Sequence, residues 1–321
     1  MRTAYLSALG MMGRRHLLGL VRAGFVVSAA DPNPSAFDVA RAELLKAGLP
    51  VDFLVAVQAP GGSYDVAIFS ETVADRLANF RRFLSLASAG KILLEKPVSA
   101  DPEEFEAFLA VAREYKVEAC TQVNFIRRTW SHIQQLVDLC ASEVCFTVTL
   151  NGGAVGLGCM GIHYLDTFLA LSGNEMPEVV WASLSKKFVA SGRGEQFQDF
   201  GADFVLQGPR GKLLASLEAG SSANVVMTVR GAHFMAQADY GDKQWKLVQR
   251  KPDSTLPNYR YGADYEIVQQ GKLELPQMDR VTELWAQGQL QLSLLERALE
   301  THRLLDRILR VGGATPPYRF T

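Results

Sequence analysis

The first third of the chain alternates short apolar runs with amphipathic stretches. Residues 4–9 (Ala-Tyr-Leu-Ser-Ala-Leu) read as a buried strand, Gly10-Met11-Met12-Gly13 as a turn, and Arg14-Arg15-His16-Leu17-Leu18 as the start of a helix. A second strand-like run covers 25–30. Over 34–47, Phe37, Val39, Ala40, Leu44 and Leu45 recur at helical spacing until Gly48 and Pro50 end the pattern. Strands are predicted at 51–57 and 64–70, with a loop at 59–63 between them. A helix near 74–89, a strand at 91–97, a helix at 101–115 and a last strand at 117–125 complete the alternation. Asp101 fits the N-cap of the helix at 101–115, with Glu103 and Glu104 at the favoured end of its dipole. Strand and helix in strict alternation predict a doubly wound parallel sheet, an α/β Rossmann domain over residues 1–125.

From residue 126 the pattern changes. A helix at 130–140 leads into a strand at 144–150, a glycine-rich loop and a helix at 160–171. Six β-like stretches follow, at 177–190, 197–206, 212–219, 223–230, 233–240 and 244–250. Gln207-Gly208-Pro209-Arg210-Gly211 and Tyr240-Gly241-Asp242 break them in the manner of hairpins. Strands without intervening helices predict an α+β second domain, 126–321, with a largely antiparallel open sheet. Residues 253–264, rich in Pro, Tyr and Arg, read as a long loop. One amphipathic helix is expected over 280–310, with Val281, Leu284, Trp285, Leu292, Leu295 and Leu299 in one stripe, bracing both domains. No Gly/Ser linker separates the domains, and no repeat or low-complexity segment is present.

Bulk properties narrow the partners. The 321 residues carry a net charge of −1, with 48% hydrophobic and 21% charged residues. This balance gives no reason to expect nucleic acid or an anionic membrane as a partner. Met1-Arg2 leads directly into a strand, so no secretory signal is expected, and no apolar run approaches a membrane span. The four cysteines form no C-x-x-C pair and no metal-like spacing with histidine. A reduced, cytoplasmic protein without a metal is the expectation.

The opening strand, turn and helix could hold an anion, because the helix start presents free N–H groups and the positive end of its dipole. Gly10 would let backbone approach a dinucleotide closely, and Gly13 would let the helix pack near the strand. Ala8 replaces the first glycine of G-x-G-x-x-G, and an ordinary strand-to-helix turn is the alternative. Asp31 closes the second strand, where an acid should bind the adenosine ribose hydroxyls; its alternative role is simply to start the Asp31-Pro32-Asn33-Pro34 turn. Arg14 and Arg15 could touch a pyrophosphate, or a 2′-phosphate if the cofactor is NADP. Asp31 would repel that phosphate, so NAD is favoured and NADP remains possible. Ligands of such sheets lie beyond the carboxyl ends of the strands. Ser70, Glu71, Glu95 and Lys96 fall there, and with Ala8, Gly10, Met11, Met12, Gly13 and Asp31 they make the expected cofactor side.

Two residues stand out for proton chemistry. Pro97 forces Lys96 into an extended conformation at a strand end, where a partly desolvated amine could donate to a substrate oxygen; a solvated lysine is the alternative. Glu95 should point to the other face. His163 lies at the head of a helix fed by a glycine loop, with Asp166 three residues on and on the same face; a packing histidine is the alternative. His16 reads as cofactor-side or structural.

Taken in order, the glycine turn with Arg14-Arg15-His16, then Glu95-Lys96-Pro97, then Gly161-Ile162-His163-Tyr164-Leu165-Asp166 resemble the glucose–fructose oxidoreductase / inositol dehydrogenase / MocA family over essentially the whole chain. The resemblance implies a Rossmann domain followed by an α+β domain with an open sheet. It implies NAD(P)-dependent hydride transfer at a hydroxyl-bearing carbon of a sugar, nucleotide-sugar or polyol. The family's catalytic lysine matches Lys96 and its histidine matches His163. On this reading the histidine takes the hydroxyl proton and the lysine stabilises the alkoxide. The resemblance also implies a homodimer or homotetramer, and a substrate cleft lined by Asn124, Arg127, Arg128, Cys159 and His163. The arginines could hold a phosphate or carboxylate, or could be a solvated pair. Cys159 stands where the family commonly has aspartate, and a thiol is a weak donor. That departure keeps a second reading open: a non-catalytic protein that binds cofactor and ligand to regulate a partner.

Overall fold

A computed structural model of the chain describes residues 1–153, 155–190, 194–257, 260 and 264–320. In chain order the elements are β1 (Arg2–Leu6), α1 (Met11–Arg22), β2 (Phe25–Ala29), α2 (Ser35–Lys46), β3 (Leu54–Ala56), β4 (Gly62–Phe69), α3 (Val73–Leu86), β5 (Ala87–Leu94), α4 (Pro102–Glu114) and β6 (Thr121–Val123). They continue as α5 (Ser131–Ser142), β7 (Phe146–Gly153), α6 (Ile162–Leu171), β8 (Glu178–Ala190), β9 (Gln198–Gln207), β10 (Gly211–Glu218) and β11 (Val226–Arg230). The last are β12 (Phe234–Asp239), β13 (Gln244–Arg250), β14 (Tyr265–Lys272), α7 (Met278–Ala286), β15 (Ser293–Leu294) and α8 (Leu295–Val311). The chain divides into two compact units, one of Met1–Ile126 with Pro276–His302, the other of Arg127–Leu275 with Arg303–Phe320.

In the first unit, β3, β2, β1, β4, β5 and β6 lie side by side in that order, all parallel, and β15 adds an antiparallel edge beyond β6. This is the 3-2-1-4-5-6 order of a doubly wound dinucleotide sheet, with the reversal of strand order at β1 and β4. The sheet is apolar on both faces because helices cover both, so Leu6, Val27, Ile68 and Leu93 are buried. Asp101 caps α4 as expected, its side chain accepting from the Glu103 N–H at 3.0 Å.

In the second unit eight strands form one sheet, in the order β14-β13-β12-β11-β7-β10-β9-β8. Every pairing is antiparallel except β7 with β10. Along β10, Leu213, Ala215 and Leu217 are buried while Lys212, Leu214, Ser216 and Glu218 are exposed, the alternation of a sheet covered on one face. All ten residues of α6 are buried, and Phe168 on it packs against Phe146 of β7.

Several expected boundaries shift. The stretch 280–310 is two helices, not one. Gly288, at φ 78°, ends α7, and the chain then extends so that Leu292 N–H reaches Gln122 and β15 pairs with β6. Leu292 still joins the core that holds Trp285, although the segment between them is extended rather than helical. Residues 87–89, expected at the end of a helix, instead begin β5. The strand expected at 117–125 contracts to β6. β14 was not expected at all: all but one of its residues are exposed or nearly so, and it shows no alternation. Part of the loop expected over 253–264 lies outside the described residues.

Candidate functional site

The glycine turn follows β1. Gly10 forms the N-cap of α1, which has no side-chain cap and no acidic residue in its first turn. The leading N–H groups of α1 are thus left for another acceptor. A Cβ on Gly13 would lie 2.0 Å from the Ala8 carbonyl oxygen and 2.9 Å from Ser70 Oγ, so only glycine fits there. A Cβ on Gly10 would meet open space. Ser70 Oγ donates to the Ala8 carbonyl at 3.0 Å, tying the end of β4 to the turn. Asp31 accepts from the Leu9 N–H at 2.7 Å and from the Asn33 N–H at 2.8 Å. It therefore shapes its own turn and also pins the glycine turn. Arg14 is engaged by Glu43 and by the Leu9 carbonyl, whereas Arg15 is exposed.

Beyond the carboxyl ends of β1, β2, β3 and β4 lies a cavity of about 920 Å³, lined among others by Ala8, Asp31, Val57, Glu71, Asn79 and Arg82. Its size and position suit a dinucleotide. Glu71 is the discordant wall residue, since a carboxylate repels phosphate. Burial raises its carboxyl above the ordinary carboxylate range, against the opposing pull of Arg76, Ser7 and Asn79.

Lys96 follows β5, is half-buried, and precedes Pro97 through a cis peptide bond. Its backbone is held on several sides. The Arg76 guanidinium, 1% exposed, donates to the carbonyls of Glu95 (2.7 Å), Glu71, Pro97 and Val98. His302 Nε2 accepts from the Val98 N–H at 2.7 Å, and burial depresses this histidine to about 4. Glu95 turns its carboxylate inward to His16 Nε2 at 2.8 Å and to Asn124 Nδ2. Burial alone would raise Glu95, but His16, Lys96 and Asn124 outweigh it and hold the carboxyl at about 2. Asn124, expected on the substrate side, commits its amide nitrogen to Glu95.

In the second unit, a single π-type turn over Leu157–Gly161 leads into α6. His163, 6% exposed, is the second residue of α6, and its carbonyl accepts from Thr167 Oγ1 at 2.8 Å. Cys159 is half-buried. Its N–H and that of Gly158 donate to the two oxygens of Asp199, at 2.7 and 2.8 Å. Arg128 Nε donates to both oxygens of the fully buried Asp166, at 2.9 and 2.8 Å, and Arg128 Nη1 to Asn174. Arg127 is buried among the rings of Tyr164, Trp130 and Tyr240. Among the described residues no group of three or more His, Cys, Asp or Glu side chains could hold a metal ion. No described helix is long and apolar enough to cross a membrane.

Sequence reasoning missed Arg76 and Asp199. Arg76 shares the helical spacing of Val73, Phe80 and Phe83, so it falls on the buried stripe of α3; a charge on an apolar stripe was the available signal. Asp199 occupies an inward position of β9, again a charge where the alternation calls for an apolar residue.

No family model matches the sequence, and no curated protein matches it. Solved structures of the same fold do. UDP-N-acetylglucosamine 3-dehydrogenase GnnA from Acidithiobacillus ferrooxidans is 17% identical at a TM-score of 0.65, over 97% of this chain and 96% of its own. A mutant 3-ketoreductase from Actinomadura kijaniata, solved with TDP-benzene and NADP, is 15% identical at a TM-score of 0.68, over 97% of both chains. The transcriptional regulator Gal80p from Kluyveromyces lactis is 12% identical at a TM-score of 0.69, over 97% of this chain and 89% of its own. At these identities the likeness is one of fold.

Proposed function

We propose that the protein is an NAD(P)-dependent oxidoreductase acting at a hydroxyl-bearing carbon of a sugar, nucleotide-sugar or polyol. The observation that carries this reading is the cavity at the carboxyl ends of a 3-2-1-4-5-6 sheet, with Ala8 and Asp31 in its lining. Two neighbours of the same fold support it, one a dehydrogenase of a nucleotide sugar and one a ketoreductase solved with NADP.

The chain's residues fit a dinucleotide. The turn from Ala8 through Gly10, Met11, Met12 and Gly13 takes the diphosphate, Asp31 takes the ribose hydroxyls through lone pairs its two turn bonds leave over, and Ser70 and Glu71 flank the ring end. Asp31 favours NAD over NADP. Bound nicotinamide supplies the hydride chemistry. Lys96 donates to the substrate oxygen and stabilises negative charge on it; His163 takes or returns the hydroxyl proton. Arg76, His302 and Glu95 fix the backbone that presents Lys96, so its amine meets the substrate without reorganisation. Cys159 and Arg128 flank His163 on the substrate side, and the protein works as a homodimer or homotetramer.

The second reading, a non-catalytic ligand sensor, is favoured by Cys159 in place of a carboxylate and by a regulator of the same fold, Gal80p. One experiment separates them: the protein is mixed with NAD or NADP and a panel of nucleotide-sugars, free sugars and polyols, and absorbance of the reduced nicotinamide is followed. Turnover on any substrate supports the enzyme. Dinucleotide binding with silence across the panel supports the sensor, and absence of dinucleotide binding sinks both.

A further inference from the structure

Two adjacent arginines in the second unit have opposite surroundings. Arg128 is matched to the carboxylate of Asp166 and to Asn174, although its Nη2 is also buried without a partner. Arg127, only 5% exposed, has no acidic partner among the described residues, and its Nη1 is buried without a hydrogen-bond acceptor. Its guanidinium carbon lies 3.9 Å from the centre of the Tyr164 ring and 5.3 Å from those of Trp130 and Tyr240. The neighbouring Trp130 Nε1 and His132 Nδ1 are likewise buried without hydrogen-bond partners. The box holds no anionic acceptor.

Ring faces attract a guanidinium, but they offset only part of what it loses on leaving water, and they accept none of its in-plane N–H groups. No other side chain of the box supplies charge. Burial, then the nearby Arg127, depresses His132 to about 4, so it is neutral at neutral pH. Burial holds the Tyr240 hydroxyl far above its ordinary range, so it stays protonated. An unpaired buried charge of this kind is costly to the fold, and such costs concentrate where a ligand completes the set. Tyr164, the closest wall, directly follows His163 on α6.

We propose that Arg127 binds the oxyanion of an organic ligand, a carboxylate or a phosphoryl group, two of whose oxygens take the fork of guanidinium N–H groups. This rests on the oxidoreductase reading and narrows its substrate class from sugars and polyols at large to sugar acids or sugar phosphates, nucleotide-sugars included. Arg127, rather than Arg128, is the recognition residue.

The test uses the full chain without dinucleotide and follows melting temperature and tryptophan fluorescence at matched ionic strength. The probes are glucuronate, glucose 6-phosphate and neutral glucose. At least one anion raises the melting temperature and glucose does not; whichever anion is tighter identifies the source of the oxyanion. Arg127→Met weakens that binding at least tenfold, the effect of losing hydrogen bonds to a charged group, while Arg127→Lys retains part of it. Without ligand, Arg127→Met melts a few degrees above the native protein, since it removes an uncompensated buried charge. The proposal is overturned if glucose binds as well as the anions, if neither anion binds, if Arg127→Met binds them unchanged, or if Arg127→Met alone lowers the melting temperature. Dinucleotide binding on the same samples is read separately, so its failure sinks the parent reading and leaves the anion result standing.

Discussion

His16 and Glu95 lie 79 residues apart in sequence, yet His16 Nε2 meets Glu95 Oε1 at 2.8 Å in the interior of the first unit. The other ring nitrogen meets Thr282 Oγ1 at 2.8 Å, and that hydroxyl donates its own proton to the Met278 carbonyl at 2.9 Å. The imidazole thus bridges the Glu95 carboxylate and the Thr282 hydroxyl, and the contact joins α1, the end of β5 and α7.

The pair makes stability depend on pH in a defined direction. The Glu95 carboxyl has an ordinary value of 4.5 and sits at about 2 in the folded protein. A depressed carboxylate contributes its full stabilisation above the unfolded value and loses it as pH falls toward the folded one. Between pH 5 and 2 the native protein should lose roughly 3 kcal/mol from this group, and Glu95→Gln should flatten that limb. His16→Leu, which strands the buried carboxylate, should cost about 3–5 kcal/mol at neutral pH, and His16→Leu with Glu95→Leu should recover part of it. Urea unfolding across pH checks all three; an unchanged acid limb in Glu95→Gln would show that the pair is not the cause.

Gly10 and Gly13 should separate folding from binding. Gly13→Ala forces a methyl to within 2.0 Å of the Ala8 carbonyl oxygen, so the backbone must move and stability should fall by about 2 kcal/mol or more. Gly10 has φ −59° and ψ −179°, a conformation open to any residue, and its Cβ would meet open space. Gly10→Ala should therefore keep stability within about 1 kcal/mol while weakening dinucleotide affinity several-fold. Calorimetric titration with NAD beside thermal melts reads both. Native affinity in a well-folded Gly10→Ala protein would place the diphosphate elsewhere.

The parallel sheet was legible because its strands are buried on both faces and its helices keep an apolar stripe, so composition and period agree locally. Where tertiary pairing overrides local preference, the pattern fails. The start of β5, Ala87-Ser88-Ala89-Gly90, has no strand-like side chains and is extended because it pairs with β4. β14 pairs with β13 along an exposed edge, and its apolar residues Ile267 and Val268 are adjacent and exposed, so they give no alternation. At the site, Asp31, Lys96 and His163 stood out because a turn, a proline or a glycine loop marks each in its own neighbourhood. Arg76 and Asp199 mark the pattern only as charges at apolar positions; most of the partners that give them their roles, like Tyr164 and Tyr240 around Arg127, are distant in sequence, and no local pattern names them.

Arg76 and Lys96 should part stability from turnover. Arg76→Met removes the donor to four carbonyls near the ends of β4 and β5, and hydrogen bonds to a charged group predict a loss of about 3 kcal/mol, with most turnover gone. Lys96→Ala removes a half-buried amine and no buried apolar contact of the sheet, so stability should change by no more than about 1 kcal/mol. Its turnover should fall at least a hundredfold while dinucleotide binding survives. Denaturant midpoints and single-turnover rates on any active substrate decide the matter, and full activity in Lys96→Ala would remove it from the chemistry.

Asp199 sets the geometry of the turn that carries Cys159. Three N–H groups, from Gly158, Cys159 and Phe200, converge on its carboxylate at 2.7 to 2.8 Å, and the residue is 5% exposed. Gly156 passes so close that a Cβ there would lie 2.2 Å from Asp199 Oδ2, so the turn is wrapped around this carboxylate. Asp199→Ala leaves buried donors without an acceptor, and each such group costs about 1–3 kcal/mol. The local consequence should exceed the global one, because the turn can open without unfolding the sheet. Cys159, half-buried in the native protein, should then react with a thiol reagent at least several-fold faster, while buried Cys140 stays protected. Asp199→Asn keeps one acceptor oxygen and should fall between the two. Timed labelling with peptide mapping assigns the rates to each cysteine. If Cys159 reacts in Asp199→Ala as slowly as in the native protein, the turn is held by its helix, and the carboxylate is only a passenger.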